Sequence, residues 1–383
     1  MYTGEISFTL LRVFGIWATP SWDSRLKMIY SFYSANIFIF YSIFLFSLLM
    51  YLLRVAEDVD NSIESILYFS ASSALMVKMV CILSRRETVI ETKKVLAGPL
   101  CQPRDSHETE ILKKYADTAR FNTFVFLILA NISVGVRIFA PLAQTDNRAL
   151  PLKTWTPFSL YSESLFLFTY LYEGLFLVIL GEMSIGIESL ALMMMLQICA
   201  QTEIIAYRLQ SLPKLWKENC SKSVMYQYEL RLIKDCVIHH LNTYSLQNNF
   251  NKLFGVVIFT QFFSSMMNMC IILYQLSRFS IFSEFSLEMI PVLFTVIVQI
   301  FIYCYYGEKV TNKSLTIVEA IYQMNWTSVS NEAKKDLLLI MMRASKPMYL
   351  SGMSIIIMSL ETFVKIMKSA YSAYNLLLLM AEE

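Results

Sequence analysis

The sequence from residue 351 to residue 380 reads SGMSIIIMSLETFVKIMKSAYSAYNLLLLM, which is apolar at both ends and carries three ionisable side chains in its middle. At about 1.5 Å per residue, a helix over residues 352–380 is long enough to cross a hydrocarbon core of about 30 Å. The stretch therefore predicts a membrane-spanning helix that is too charged to face lipid on every side.

The polar side chains of this predicted helix recur every three or four positions and share one face: Glu361, Lys365, Lys368, Ser372 and Asn375. Charges within a membrane segment usually face a bundle interior or a water-filled path, because exposing them to lipid is costly. Two interpretations are open at this point. The helix lines an aqueous pore, or Glu361 and Lys365 form an i,i+4 pair and the lysines extend to an interface.

The rest of the chain has the composition of a polytopic membrane protein. Its 383 residues are 56% hydrophobic and only 16% charged, against about 25% charged residues in soluble domains. We predict an all-α membrane protein with one transmembrane domain. Its seven spanning segments are predicted at 29–53, 62–84, 121–142, 164–196, 250–277, 287–306 and 352–380.

Lysine and arginine residues predict the orientation in the membrane. The N-terminus and the second, fourth and sixth connections hold 23 of them, whereas the first, third and fifth connections hold 4. By the positive-inside rule the N-terminus is cytoplasmic and, after seven crossings, the C-terminus is extracellular. This orientation is opposite to that of a G-protein-coupled receptor.

Two parts of the chain are predicted to form helices in the cytoplasm. Segments four and five continue past the membrane over about residues 190–249. Residues 307–349 carry an amphipathic helical pattern broken up by charges, and the apolar face of such a helix needs a partner. It can fold back on the extensions of its own subunit, or it can meet copies from other subunits. We favour the second arrangement, in which residues 307–349 hold an oligomer together.

No catalytic, metal or cofactor site is predicted, and the chain is not expected to be an enzyme. The histidines are His107, in a polar loop, and the adjacent His239 and His240, whose side chains point in different directions on a helix. The sequence has 10 glycines and no glycine-rich phosphate loop. It also has no basic stretch interleaved with aromatic residues, so no nucleic-acid partner is expected.

Four pieces of the C-terminal third resemble insect odorant receptors in their order and spacing: YCYYGEKVT (303–311), EAIYQMNW (319–326), KKDLLLIMMRASKPMYLSGM (334–353) and SLETFVKIMKSAYSAYNLL (359–377). The resemblance implies a tetrameric, odorant-gated, non-selective cation channel, in which ligand-tuned subunits assemble with an obligatory co-receptor. It also implies three parts of the chain. They are the N-terminal segment with spans one to six and the ligand-binding bundle (1–306), the cytoplasmic anchor helix (307–349) and the pore-lining seventh helix (350–383).

The same resemblance assigns residues to the pore and to the anchor. The gate is expected at the extracellular end of the seventh helix, at Tyr374, Leu377, Met380 and Ala381. The polar stripe continues to Leu379, about 200° around the helix from Leu377. Either the stripe faces a vestibule or a neighbouring helix, or the register of the gate residues differs by one or two positions. Anchor contacts between subunits are expected at Tyr322, Trp326, Leu338 and Met341.

The ligand pocket of such receptors is expected in the outer half of the membrane, between segments two, three, four and six. The residues projected there are Tyr68, Phe69, Ser72, Ile132, Gly135, Val136, Phe139, Phe168, Tyr172, Glu173, Phe176, Met289, Val292 and Leu293. Their aromatic and methionine surfaces suit a small volatile molecule. Glu173 is the most specific of them, because a carboxylate at that depth needs a partner or a polar ligand group.

The expected function is an odorant-gated cation channel subunit in the plasma membrane of olfactory sensory neuron dendrites. Its expected partners are a small volatile odorant, co-receptor subunits, the lipid bilayer and permeant monovalent and divalent cations. No cofactor is expected. Three alternatives remain: a metabotropic seven-helix chemoreceptor that signals through a G protein, a gustatory-type channel, and a transporter.

Overall fold

The computed structural model describes residues 4–19, 22–55, 59–143, 149–159, 161–215, 222–278 and 284–382. Within these residues the helices are α1 (Glu5–Val13), α2 (Ser24–Arg54), α3 (Val59–Ser84), α4 (Arg86–Ala97), α5 (Ser106–Ala143), α6 (Glu163–Gln210), α7 (Lys222–Arg278), α8 (Glu284–Tyr322), α9 (Asn331–Ala344) and α10 (Leu360–Glu382). Short 3-10 helices cover Leu212–Leu215 and Trp326–Ser328. An antiparallel hairpin pairs β1 (Ser351–Gly352) with β2 (Ile356–Ile357).

The long helices confirm the predicted all-α membrane fold with seven spans. Six of them, α2, α3, α5, α6, α7 and α8, are long and apolar enough to cross a membrane. The seventh is α10, whose 23 residues extend about 34 Å, although its charges make it less apolar than the others. α6 lies at the centre of the bundle and packs against α1, α5, α7 and α8.

Four of these helices are longer than their predicted spans. α6 has 48 residues and α7 has 57, so both continue well past the apolar segment, as the sequence predicts for residues 190–249. α5 begins at Ser106 instead of residue 121, and α8 continues to Tyr322 instead of residue 306. The α5 extension was not predicted, because its charged positions break the apolar run without breaking the helix. Residues 307–322 were predicted to be helical, but as part of a separate anchor helix and not as a continuation of the sixth span.

Two separate buried clusters result from these extensions. The larger cluster fills the interior of the bundle of membrane-spanning helices. The smaller one, which we call the anchor core, joins the ends of α6, α7 and α8 to α9. Its buried members include Leu209, Ile233, Ile317, Leu337 and Ile340.

The anchor part of the chain, residues 307–349, differs from the prediction in its secondary structure. Residues 307–349 do not form one helix, because the C-terminal part of α8 (307–322), a 3-10 turn and α9 share this range. α9 also packs against the α7 extension of its own subunit, which is the arrangement that the sequence analysis did not favour for its apolar face.

The seventh span begins later than predicted. Helix α10 starts at Leu360, whereas residues 351–357 form the hairpin instead of the first two turns. Met353 and Ser354 both have positive φ angles, of 51° and 62°, which a right-handed helix does not allow. The hairpin also bonds to α7, because Met353 N donates to Gly255 O at 3.1 Å. Tertiary contact thus overrides the helical apolar pattern of this stretch.

Gly307 sets how closely α8 approaches the start of the seventh span. A Cβ atom added at Gly307 would overlap with the Cβ atom and the carbonyl group of Met358. Next to it, Glu308 of α8 accepts a hydrogen bond from Leu360 N at 2.7 Å, at the first residue of α10. The absence of a side chain at Gly307 therefore lets α8 hold the N-terminus of α10 in place.

Candidate functional site

A cavity of about 190 Å³ lies among α3, α5, α6, α7 and α8. We call it the central cavity. It is smaller than the roughly 300–1,000 Å³ of drug-sized ligand sites, so it suits a small molecule. Most of its wall is apolar, with contributions from Leu67, Ala74, Phe126, Leu177, Leu180, Val292 and Val296.

The end of the central cavity nearer the anchor core is polar, and we call it the cavity floor. There Lys78 Nζ of α3 donates to Glu188 Oε1 of α6 at 3.1 Å and also to Gln261 Oε1 of α7. Gln261 Nε2 in turn donates to Ser265 Oγ at 2.8 Å and to Gln299 Oε1 of α8 at 2.7 Å. Four helices therefore meet at one buried ion pair and its amide neighbours.

At the opposite end of the central cavity, Arg137 of α5 connects three elements by ion pairs. Its guanidinium contacts Glu64 of α3 and Glu288 of α8. Its Nε atom donates to Pro151 O at 2.6 Å, and its Cζ atom lies 5.5 Å from the centre of the Tyr68 ring. Two carboxylates thus compensate this buried cation, as a buried charge requires.

The segment 149–159 covers this end of the bundle. Glu173 of α6 accepts from Leu152 N at 2.9 Å and from Thr154 Oγ1 at 2.6 Å. On the other side of the segment, Ser47 Oγ of α2 donates to Trp155 O at 2.5 Å. A buried carboxylate needs hydrogen-bond partners, and the segment 149–159 supplies them to Glu173.

Two of the residues predicted on α3 and α8 line the central cavity, namely Tyr68 and Val292. Phe69 packs against the bundle core instead, and Ser72 and Met289 are wholly buried between helices. Leu293 also packs against that core without lining the cavity.

On α5 the structure brings a different face to the central cavity from the predicted one. The prediction names Ile132, Gly135, Val136 and Phe139, of which Ile132 and Phe139 are exposed on the outside of the bundle. The lining residues are Phe126, Ala130, Ser133, Val134 and Arg137. The two faces differ by one position, or about 100° of rotation. Both faces carry apolar residues, because a side chain meets an apolar environment whether it faces lipid or a ligand pocket. The sequence pattern therefore does not distinguish the two faces.

On α6 the residues predicted for the pocket lie closer to α2 than to the cavity. Phe176 stacks on Phe44 with ring centroids 3.5 Å apart, and Tyr172 packs on Phe40 at 4.9 Å. Phe168 is exposed. The lining positions of α6 begin just after them, at Leu177, Leu180, Gly181, Ser184, Ile185 and Glu188.

Helix α10 packs on α7 and α8 through one face and leaves its polar face exposed. Ile366 and Ala370 are buried, and the ring of Phe363 lies 5.6 Å from that of Phe301 of α8. On the other face, Lys365 Nζ lies 2.6 Å from Glu361 Oε1, and both side chains are about three-quarters exposed at 70% and 75%. Lys368 and Ser372 are exposed on the same face, and Asn375 is half-buried.

The residues predicted for the gate lie at the far end of α10. Leu377 is partly exposed, and Tyr374 is half-buried with its ring 5.9 Å from that of Tyr371. The side chains of Met380 and Ala381 lie outside the described residues. Of the anchor candidates, Tyr322 and Leu338 are exposed, whereas Trp326 and Met341 pack on the edge of the anchor core.

A further buried ion pair lies beside the anchor core. Arg208 of α6 donates through Nε and Nη2 to both oxygens of Glu108 of α5, each at 2.7 Å. Its remaining N–H groups reach Leu100 O at 2.8 Å, Gln102 O at 3.1 Å and His239 Nδ1 at 3.2 Å. All five N–H donors of this guanidinium are therefore used.

His239 completes this network as a neutral ring. Because the Arg208 guanidinium can only donate, Nδ1 accepts and Nε2 donates to Gln201 Oε1 at 2.7 Å. Burial, together with the Arg208 charge, lowers the pKa of His239 to about 3. Burial also lowers the pKa of the neighbouring His240 to about 4.

The cavity floor was not predicted, although the sequence contains a signal for it. Lys78 lies in the predicted segment 62–84, and Glu188 lies in the segment 164–196. Ionisable residues inside membrane segments indicate functional positions and require partners. The sequence therefore marks both residues as candidates, but only the packing of α3 against α6 pairs them.

Comparison with known proteins identifies the family. A model of the family described as 7tm odorant receptor matches residues 58–371. Odorant receptor 46a, isoform A, of Drosophila melanogaster is 23% identical over 98% of this chain and 97% of its own length. The odorant receptor coreceptor of Aedes aegypti is 23% identical over 38% of this chain and 30% of its own length.

The fold is also similar to that of a solved insect receptor. The olfactory receptor OR5 of Machilis hrabei, determined in complex with eugenol, superposes with a TM-score of 0.85 and 16% sequence identity. The superposition covers 98% of this chain and 97% of that one. The matched family covers most of the chain, including the long helices that build the central cavity. The chain therefore belongs to the insect 7tm odorant receptor family, as a multi-pass membrane receptor and not an enzyme.

Proposed function

We propose that this chain is the ligand-tuned subunit of an odorant-gated, non-selective cation channel. In this proposal a small volatile odorant binds in the central cavity, and α10 lines a pore for monovalent and divalent cations. The observation that carries the proposal is the exposed polar face of α10, because a spanning helix with three charges needs water or a partner on that face.

The path from the cavity to the pore helix is short. Gln299 of α8 belongs to the cavity floor, and Phe301, two residues later, contacts Phe363 of α10. α7 likewise lines the cavity through Gln261 and packs against α10. A ligand that favours one packing of α7 and α8 therefore shifts the equilibrium between the closed and open positions of α10. The size of this shift is set by the difference in the ligand's affinity for the two states.

The outer end of α10 is the proposed gate. Leu377 and Met380, with Tyr374 and Ala381 beside them, form an apolar constriction that excludes water when four copies meet. Odorant binding moves these side chains from the axis, and the pore then fills with water. The polar stripe through Glu361, Lys365, Lys368 and Ser372 faces the wider vestibule or a neighbouring subunit.

The anchor core is the proposed centre of assembly with co-receptor subunits. Its own apolar positions are covered by α9, but Leu338, Leu339 and Met342 on the outer face of α9 are exposed, as is Tyr322. Large exposed apolar side chains grouped on one helix face support a protein contact. The proposed orientation has a cytoplasmic N-terminus and an extracellular C-terminus, in the plasma membrane of olfactory neuron dendrites.

Recording currents tests this proposal directly. Cells that express the chain together with a co-receptor are expected to give odorant-evoked cation currents, and cells that express the chain alone give smaller currents or none. Epitope tags at the two ends separate the channel from a metabotropic receptor, because an intracellular C-terminal tag would contradict the proposed orientation.

The gate has its own test. The variant Leu377→Ala is expected to raise the basal current several-fold, because a smaller side chain weakens the apolar constriction. Leu376→Ala removes the same number of atoms one position away, about 100° around the helix, and is expected to leave the basal current near its original value. Equal currents for wild type and Leu377→Ala, with and without odorant, would remove Leu377 from the gate.

A further inference from the structure

Within the part of the chain that the structure describes, the ion pair of the cavity floor leaves one donor and one acceptor without a hydrogen-bond partner. Lys78 Nζ uses two of its three N–H groups, on Glu188 Oε1 and Gln261 Oε1. Glu188 Oε1 also accepts from Ser184 Oγ at 3.2 Å, whereas Oε2 accepts no hydrogen bond from the part of the chain that the structure describes. Both Lys78 and Glu188 line the cavity.

These unfilled positions are buried, which makes them energetically important. Lys78 is 2% exposed and Glu188 is 3% exposed. A charged group with an unfilled hydrogen-bonding position costs more when buried than a neutral one does. Water can fill both positions in an unliganded cavity, so a ligand that displaces water loses affinity unless it replaces both hydrogen bonds.

The amides around the ion pair add a donor to this demand, because Gln299 also lines the cavity and its Nε2 group donates no hydrogen bond within the described part of the chain. Gln261 accepts from Lys78 through its carbonyl oxygen and uses its NH₂ group on Ser265 and Gln299. The charged pair of the floor itself offers one donor on Lys78 and one acceptor on Glu188.

Only some ligand groups can meet a donor and an acceptor at once. A hydroxyl group accepts from an ammonium and donates to a carboxylate through one oxygen atom. A carbonyl or an ether oxygen only accepts, and therefore leaves the carboxylate unfilled. A carboxylate ligand would be repelled by Glu188, and an ammonium ligand by Lys78. Among these groups, the floor is thus selective for a hydroxyl group.

The rest of the central cavity determines the polarity of the remaining part of the ligand. Above the floor the wall is formed mainly by aliphatic and aromatic side chains, such as Leu67, Phe126, Leu177 and Val296. At the other end, Arg137 is already compensated by Glu64 and Glu288. The wall therefore suits an apolar skeleton, with one polar group directed toward the floor.

We infer that the ligand of this receptor is a small alcohol or phenol whose hydroxyl group is bound between Lys78 and Glu188. The inference rests on the proposed function, since it assumes that the central cavity is the odorant site.

Matched pairs of compounds test the inference without any variant. Straight-chain, terpenoid and aromatic alcohols or phenols are each applied beside their own methyl ethers to cells that express the chain with a co-receptor. The compounds that evoke currents are expected to be hydroxyl compounds. Each is expected to be at least about tenfold more potent than its ether, because the lost hydrogen bonds to charged groups are worth more than 1.4 kcal/mol.

A double variant locates the selectivity in the cavity floor. Lys78→Met with Glu188→Leu keeps the volume but removes both charges, and it is expected to make each alcohol and its ether equally potent. The control is Asp117→Asn with Arg120→Gln, which removes an exposed pair on α5 outside the cavity and retains the preference for alcohols. Surface labelling confirms that each variant reaches the membrane. Glu188→Gln serves as a second variant that removes only the acceptor charge.

The outcomes separate the inference from the proposed function. If alcohols and their ethers evoke currents in the wild type with equal potency, the hydroxyl assignment is overturned, but the proposed odorant-gated channel is not. A preference for alcohols that persists in both floor variants overturns the role of Lys78 and Glu188. No current from any compound, with the chain at the surface beside a co-receptor, overturns the proposed function itself.

Discussion

Two of the buried ion pairs of this receptor, one beside the anchor core and one in the cavity floor, differ in how completely their hydrogen bonds are satisfied. Beside the anchor core, Arg208 uses all five of its N–H donors, and both oxygens of Glu108 are occupied. In the cavity floor, Lys78 retains one N–H group, and Glu188 Oε2 has no partner in the described part of the chain. Both pairs are buried and join residues at least 100 positions apart in the sequence.

This difference indicates two roles for similar chemistry. A buried pair with every donor and acceptor filled has nothing left to offer a ligand, so its effect is on stability and on the geometry of the fold. A buried pair that faces a cavity with unfilled positions is costly to the fold and is explained more readily by recognition.

The largest effect is expected for Glu108→Gln. The substitution leaves the buried Arg208 guanidinium without its countercharge, and breaking such a pair costs about 3–5 kcal/mol. The melting temperature of the detergent-solubilised protein and its amount at the cell surface are both expected to fall strongly.

The matched control for this prediction is Glu110→Gln, which changes an exposed carboxylate two positions further along α5. It is expected to change the free energy of unfolding by less than about 1 kcal/mol. If both variants unfolded at the same temperature as the wild type, the pair beside the anchor core would not be structural.

An intermediate effect is expected from mild acid. The low pKa values of His239 and His240 mean that the folded state binds fewer protons than the unfolded state between about pH 3 and pH 6.5. The stability that these two neutral histidines contribute is therefore fully present above about pH 6.5 and is lost as the pH falls. Each histidine contributes a loss of up to about 2 kcal/mol between pH 6.5 and pH 5, measured as a fall in the unfolding temperature.

Replacing both histidines by glutamine is expected to remove most of this pH dependence, because glutamine does not titrate. His107→Gln alters an exposed histidine on α5 and is expected to leave the dependence unchanged. An unfolding temperature that is independent of pH between 6.5 and 5 in the wild type would contradict the neutral, buried state of His239.

The smallest effect on stability is expected in the cavity floor. Replacing Lys78 by Met and Glu188 by Leu removes both charges together, and such apolar replacements of a buried pair are often neutral or stabilising. The unfolding temperature is therefore expected to change by less than the equivalent of about 1 kcal/mol, although the ligand preference changes. A loss as large as that of Glu108→Gln would show that the floor pair is structural as well.

Much of the fold could be predicted from the sequence, because the signals for it are local. The seven long helices follow from apolar runs, and the continuation of α6 and α7 follows from helical spacing beyond those runs. The first residues of the seventh span were an exception. There the apolar run predicts helix, but contacts of residues 351–357 with α7 and the close approach at Gly307 produce a hairpin instead.

The site was less predictable than the fold. The prediction for α5 selected a face one position away from the lining face, and the prediction for α6 selected Tyr172 and Phe176, which pack on α2. A residue that faces lipid, a neighbouring helix or a volatile ligand meets an apolar environment in each case. Hydrophobicity therefore cannot tell which of the three a given side chain faces.

The sequence by itself determined that this is a membrane receptor with a charged last span, because composition, periodicity and motif spacing are properties of neighbouring residues. Tertiary structure alone decided which charges meet. Lys78 and Glu188 are 110 residues apart, and only the packing of α3 against α6 brings them to 3.1 Å beside the cavity. The reason is that pairing depends on helix rotation, which is set by how side chains interlock across the bundle and not by any local pattern.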